Sequence, residues 1–120
     1  MHELSIAHSL VTTATDALDA ERASGSDPLG RVKAVHLRLG RLAGVVRDAL
    51  EFCYDLVTED TLLAGSQLVI HDIDVVVFCN ACQAERTLPG IQRFRCPECD
   101  KPTGDIRHGR ELELEYIELE

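Results

Sequence analysis

Tryptophan is absent from this chain of 120 residues, and aromatic side chains make up only 4% of it. Its core must therefore be assembled from Leu, Val, Ile and Ala. A core of that kind in a chain this short leaves room for a second source of stability, such as a bound metal. Basic charge is scarce as well: 12 Lys and Arg stand against 21 Asp and Glu, a formal net charge of −9. Phosphate backbones are repelled by such a chain unless its bases gather locally. Between Cys79 and His108 they do not gather. Arg86, Arg93, Arg95, Lys101 and Arg107 face Glu85, Glu98, Asp100 and Asp105, which disfavours a nucleic-acid-binding zinc ribbon. No apolar run reaches the roughly 18–20 residues of a membrane span. The opening Met1-His2-Glu3-Leu4 lacks the basic start and apolar stretch of an export signal. The expectation is a cytoplasmic chain with reduced cysteines.

Cysteine is present, and in a pattern. Cys79-Asn80-Ala81-Cys82, thirteen intervening residues, then Cys96-Pro97-Glu98-Cys99 form a C-x2-C…C-x2-C frame. Two close pairs of thiolates suit one tetrahedral ion, and structural zinc is the usual occupant. Four thiolates leave no open position for a reacting water. Iron competes for the site, because Cys96-Pro97-Glu98-Cys99 looks like one knuckle of a rubredoxin, although the aromatic-rich core of such proteins is missing. Redox dithiols use one C-x-x-C, and the second pair argues against that reading. The fifth cysteine, Cys53, reads as a core thiol.

The periodicity predicts a small α+β protein. Leu4, Ala7, Val11, Ala14 and Leu18 mark an amphipathic helix of about five turns. Residues 24–30 read as a loop, and Val35, Leu37 and Leu39 as one face of a strand, with His36 and Arg38 on the other. Gly40 to Gly44 make a turn. A second helix is expected from Asp48, its N-cap, to Thr58, with Leu50, Phe52, Cys53 and Val57 apolar. One strand is expected from Leu68 to Phe78, entering the cysteine frame. The closing segment, Glu111 to Glu120, alternates and then shifts register at Ile117, the mark of a bulge or a change of buried face. Its glutamates read as a solvated sheet face. The expected architecture is a small three-stranded mixed sheet packed by two helices, with an inserted zinc-ribbon-like lobe. Its parts would be an α/β domain over 1–78 plus 104–120 and a zinc lobe over 79–103.

His2 has two readings. One is an incidental solvated side chain. The other is a metal ligand: a bulky second residue normally leaves Met1 in place, and its amine, the amide nitrogen and imidazole of His2, and the amide or carboxylate of Glu3 can complete a square plane. Such nitrogen ligation suits Ni(II) or Cu(II). His8, His36 and His71 read as surface or satisfied histidines. His108 lies near the zinc lobe in sequence but is not needed there.

The opening Met1-His2-Glu3-Leu4-Ser5-Ile6-Ala7 and its helix resemble the hydrogenase/urease nickel insertion protein family. The resemblance continues through Val35-His36-Leu37-Arg38-Leu39-Gly40, Leu42-Ala43-Gly44-Val45-Val46, Ala49-Leu50-Glu51-Phe52, both cysteine pairs and Gly109-Arg110-Glu111-Leu112. It implies a non-enzymatic nickel metallochaperone for maturation of [NiFe] hydrogenase. It further implies nickel at Met1, His2 and Glu3, with His2 the main ligand, and structural zinc at Cys79, Cys82, Cys96 and Cys99. The implied partners are a maturation GTPase and the hydrogenase large-subunit precursor; neither nucleic acid nor membrane is expected, and the chain would be a monomer or dimer. Unlike some members, this chain has no histidine beside its cysteine pairs, and its 24–30 loop is long. From residues alone the competing functions are a rubredoxin-like iron electron-transfer protein and a zinc-ribbon adaptor.

Overall fold

The computed structural model describes residues 2–24 and 30–120. Met1 and most of the expected 24–30 loop lie outside them. The elements in order are α1 (Glu3–Ala23), β1 (Val32–Gly40), α2 (Arg47–Thr58), β2 (Gln67–Ile73), β3 (Val76–Cys79), β4 (Ala84–Thr87), β5 (Ile106–His108) and β6 (Leu112–Leu119). They form an α+β fold with two three-stranded sheets, ordered β2-β1-β6 and β4-β3-β5. The chain divides into two compact units, one of residues 1–37, 45–70 and 114–120, the other of residues 38–44 and 71–113.

In the first unit α1 buries Ala7, Leu10, Val11, Ala14 and Leu18, a stripe with the three- and four-residue spacing that periodicity predicts. Its first turn departs from expectation. Glu3 is buried and Leu4 is half exposed, because the Glu3 carboxylate reaches across to accept the Val46 N–H at 3.1 Å. Val46, not Asp48, is the N-cap of α2, and Leu50 N–H closes the first helical bond onto Val46 O. The buried face of α2 is Leu50, Tyr54 and Thr58, four residues apart. Phe52, expected inside, is 66% exposed. Tyr54 O–H donates to Ser66 Oγ at 2.6 Å, and Ser66 passes its own proton to Leu63 O at 2.6 Å. The phenol is thereby satisfied inside the core.

β1 is central in its sheet and buried along nearly its whole length. Glu120 N–H donates to Arg31 O, and Gly40 N–H to Glu111 O, so β6 runs antiparallel to β1. Arg41 N–H donates to Ile73 O, which joins the like ends of β1 and β2 after the helical crossover. The expected change of face in β6 is present: the half-buried positions Leu114 and Ile117 are three residues apart. Not every glutamate there is merely solvated. Glu118 accepts from His36 Nε2 at 2.9 Å, and His36, only 7% exposed, stacks on Tyr116 at 3.9 Å.

The second unit holds three strands that the sequence reading did not separate or foresee. The single expected strand from Leu68 to Phe78 breaks at Asp74 and Val75, giving β2 and β3 in different sheets. Asp74 takes the Arg41 guanidinium at 2.7 Å, and Val75 O accepts the Leu88 N–H at 2.8 Å. β3 pairs antiparallel with β4 and β5, with an irregularity between Val76 and Val77 on the β5 side. The buried cluster here is small: Val75, Val77 and Leu88, flanked by Leu42, Phe94 and Ile106. Gly40 is required by a close approach, since a Cβ there would fall 2.1 Å from Gly109 O. Leu42 N–H donates to that same oxygen, and Gly109 N–H donates to Glu111 Oε1, each at 2.7 Å.

Candidate metal centre

β3 delivers Cys79 at its last residue, buried, and the chain then turns through Cys82 into β4. Cys96 and Cys99 come from a second turn. There Asp100 N–H donates to Cys96 O at 2.8 Å and Cys96 N–H to Lys101 O at 2.9 Å. Each turn ends the same way. Gln83 and Asp100, the residues directly after Cys82 and Cys99, have φ of +52° and +61°, the left-handed conformation that reverses the chain sharply. Thr103 ties the second turn to β3 by donating to Phe78 O at 2.6 Å.

The four sulfurs converge: all lie within 4.8 Å of one another. Cys79 and Cys99 Sγ are 3.6 Å apart, and Cys82 and Cys96 Sγ are 3.9 Å apart. A zinc–sulfur bond of about 2.3 Å places tetrahedral sulfurs about 3.8 Å from each other. The residues therefore fit a structural zinc ion. Their acid–base behaviour points the same way. Burial raises the Cys96 thiol, but the N–H groups of Cys99 and Glu98 outweigh it and bring it down to about 6. At Cys99 the N–H of Lys101 pulls downward, yet burial and the neighbouring sulfurs push the thiol up to about 11. One thiolate forms readily and obstructs the next, so ionising all four calls for a cation among them.

Among the described residues these four cysteines are the only converging group of three or more potential metal ligands. Cys53 is apart from them and half-buried. His108 is engaged elsewhere, its Nδ1 3.0 Å from Glu111 Oε2. His8 and His71 are exposed. At the other end of the chain His2 is exposed and forms the N-cap of α1, with Ile6 N–H bonding to its carbonyl at 2.8 Å. Glu3 contributes its carboxylate to Val46, and Met1 lies outside the described residues.

Sequence reading passed over Arg86. It sits half-buried on β4 opposite Val77. Hydrogen bonding to Cys82, then to Cys96, holds its proton more tightly than usual. Its Nε is sealed from solvent without a partner of its own. The available signal was its position, four residues past Cys82 on the strand leaving the first turn.

Fold and site together define a small α+β protein with a four-cysteine cluster that fits structural zinc. A family model described as hydrogenase/urease nickel incorporation, metallochaperone, hypA matches residues 1–119. The hydrogenase maturation factor HypA of Chloroflexus aurantiacus is 57% identical over 118 residues, 98% of each chain. That of a Roseiflexus species is 45% identical, covering 100% of this chain and 93% of its own. The guanidine hydrolase-activating protein A of a Synechocystis species is 33% identical, over 98% and 94%. The solution structure of the Ni metallochaperone HypA from Helicobacter pylori shares the fold, with a TM-score of 0.66 at 19% identity over 99% and 97% of the chains. The chain belongs to the hydrogenase/urease nickel-incorporation metallochaperone family, HypA. Nickel is the family's metal, and hydrogenase maturation its field of work. None of the described helices is long and apolar enough to cross a membrane.

Proposed function

We propose that this protein is a cytoplasmic, non-enzymatic nickel carrier that binds Ni(II) at its N-terminus and passes it to the [NiFe] hydrogenase large-subunit precursor, working with a maturation GTPase. The ligands would be the Met1 amine, the amide nitrogen and imidazole of His2, and the amide or carboxylate of Glu3. One observation carries this reading beyond family membership: His2 is exposed at the head of α1. The N–H groups of a first helical turn have no carbonyl four residues back to bond with. Nickel can therefore displace amide protons at residues 2 and 3 without breaking a rung of the helix. Square-planar nitrogen ligation of this kind suits Ni(II), and an exposed ion is open to ligand exchange with an acceptor. The four cysteines keep zinc, which stabilises their lobe and takes no part in transfer.

Hydrogenase is the acceptor that the names of the relatives at 45–57% identity support. The Synechocystis relative, named for activating a guanidine hydrolase, supplies the second reading, a different nickel enzyme. The test of the terminal site is Ni(II) titration of untagged protein, followed by the visible absorption of square-planar nickel. Alongside run His2→Ala and a chain extended by two residues at its N-terminus. Loss of the band and of tight binding in both variants is expected. Binding and spectra unchanged in both would remove the terminal site.

A further inference from the structure

We propose that the outer face of α2, centred on Phe52 and Leu56 and flanked by Asp48, Asp55 and Glu59, is the surface on which the nickel acceptor docks. The acceptor meets it with an apolar pocket rimmed by lysine or arginine. The inference rests on the terminal nickel site of the proposed function and adds where its acceptor is held.

Two costs fall on one face of this helix. The first is apolar. Leu50, Tyr54 and Thr58 fill the buried face, and at about 100° per residue Phe52 and Leu56 stand on the opposite side. They are 66% and 49% exposed and one turn apart, so they form a continuous stripe. Ala49 and Cys53, both half-buried, border it on one flank. The second cost is electrostatic. Asp48, Asp55 and Glu59 border the other flank, all exposed, and none has a basic partner among the described residues. Asp55 and Glu59, with Asp60 after them, stand where the helix dipole is negative, and no basic residue lies in the last turn. A helix shaped by stability alone would carry lysine at that end and a polar side chain at position 52.

A partner that brings cations around an apolar pocket relieves both costs at once. Charge on a larger scale agrees. The unit of residues 1–37, 45–70 and 114–120 holds 13 of the 21 acidic side chains and 4 of the 12 basic ones, leaving eight of each sign in the other unit. A field of that sign steers a basic protein towards the first unit and repels a second copy of it. The stripe is also placed for transfer. Glu3 accepts the Val46 N–H at 3.1 Å, so α2 begins beside the first turn of α1, where His2 stands exposed. At 1.5 Å per residue, Phe52 lies about 9 Å and Leu56 about 15 Å along the axis from that junction. An interface of ordinary size, about 800 Å² on each partner, covers the stripe and the nickel end together.

The experiment uses the full zinc-loaded chain with its native N-terminus, and as probe the purified nickel-free hydrogenase large-subunit precursor. Surface plasmon resonance at low and high salt compares wild type, Phe52→Gln, Asp55→Lys, and Asp16→Lys, an equal charge change at an exposed site on α1. Phe52→Gln is expected to bind about tenfold more weakly, through faster dissociation, as loss of an apolar anchor does. Asp55→Lys should associate more slowly and with less salt dependence, and Asp16→Lys much less so. Nickel binding should match wild type in all three. Wild-type affinity in Phe52→Gln would overturn the proposal. Equal slowing by Asp55→Lys and Asp16→Lys would overturn it too, because it marks net charge alone. Should Phe52→Gln fail to fold, Asp55→Lys against Asp16→Lys decides. Weakened binding of the maturation GTPase with the precursor unaffected would give the face to the GTPase instead, and a dimer dissolved by Phe52→Gln would give it to a second copy. A precursor that does not bind the wild type refutes the acceptor along with the docking face. Wild-type chain that binds the precursor but no nickel refutes the terminal site alone.

Discussion

The two units of this protein are stabilised by different means. The first has both helices and a core of Leu, Val and Ala along α1, β1 and α2, with Tyr54 satisfied inside it. The second has three short strands around Val75, Val77 and Leu88, far less apolar surface than a domain needs to fold alone. Four sulfurs are arranged there for one ion, and a structural zinc would make up the deficit. Under the proposed function the cargo metal is handled away from this structural cluster, so the strength of a sequence motif does not say which role it serves.

Metal removal should separate the two units most strongly. Structural zinc in small domains contributes about 10–16 kcal/mol of apparent binding energy. Chelation, or Cys96→Ser, is therefore expected to unfold the second unit. Amide exchange measured by NMR should become fast across β3, β4 and β5, while the helical circular dichroism, which comes from α1 and α2, stays near its wild-type value.

Leu37→Ala tests the first unit in the complementary way. Leu37 is wholly buried in the central strand, and such truncations cost about 2–5 kcal/mol. Urea denaturation should show that loss with zinc content unchanged. Gly40→Ala comes next. Its Cβ would meet Gly109 O and Arg110 N, and overpacking of that kind costs about 1–3 kcal/mol, read as a lower thermal midpoint.

Acid sharpens the same region. Burial raises the Glu111 carboxyl, but its own N–H, His108 and the Gly109 N–H outweigh burial and hold it below its ordinary value of 4.5. A depressed folded value means stabilisation that is full above the unfolded value and lost as pH falls through the folded one. Glu111→Gln should therefore lower the thermal midpoint at pH 7 and flatten its decline below about pH 4.5. The smallest effect is expected at Asp100, whose left-handed backbone costs a non-glycine residue about 1 kcal/mol. Asp100→Gly should raise the midpoint slightly, since the ion pair it gives up with Arg93 is exposed and 3.7 Å long.

Much of this was legible in the sequence. Spacing alone located α1, the cysteine frame and the strands β1 and β6, because those signals depend on residues close in the chain, although the expected alternation of β1 gives way to burial on both faces. What escaped depends on distant partners. Glu3 is buried in the first turn of α1, its carboxylate accepting the N–H of Val46, far away in the chain, while Leu4 is exposed. Phe52 faces outward because Leu50, Tyr54 and Thr58 already fill the inner face of α2. His36 is buried because Glu118 and Tyr116, more than seventy residues later, receive it. β4 and β5 are too short to carry a period of their own. Arg86 looked like one of several scattered bases until the sheet register set it opposite Val77, with its Nε sealed from solvent. His2 carried no periodic signal at all, and its proposed role came through whole-chain resemblance.

The separation of the two metals is tested most directly by metal content per chain after nickel loading of protein with its native N-terminus, beside His2→Ala. The expected result is one zinc and one nickel in the wild type, and one zinc with no nickel in His2→Ala at unchanged stability, as befits an exposed residue. Nickel retained in full by His2→Ala, or nickel found in place of zinc, would contradict it.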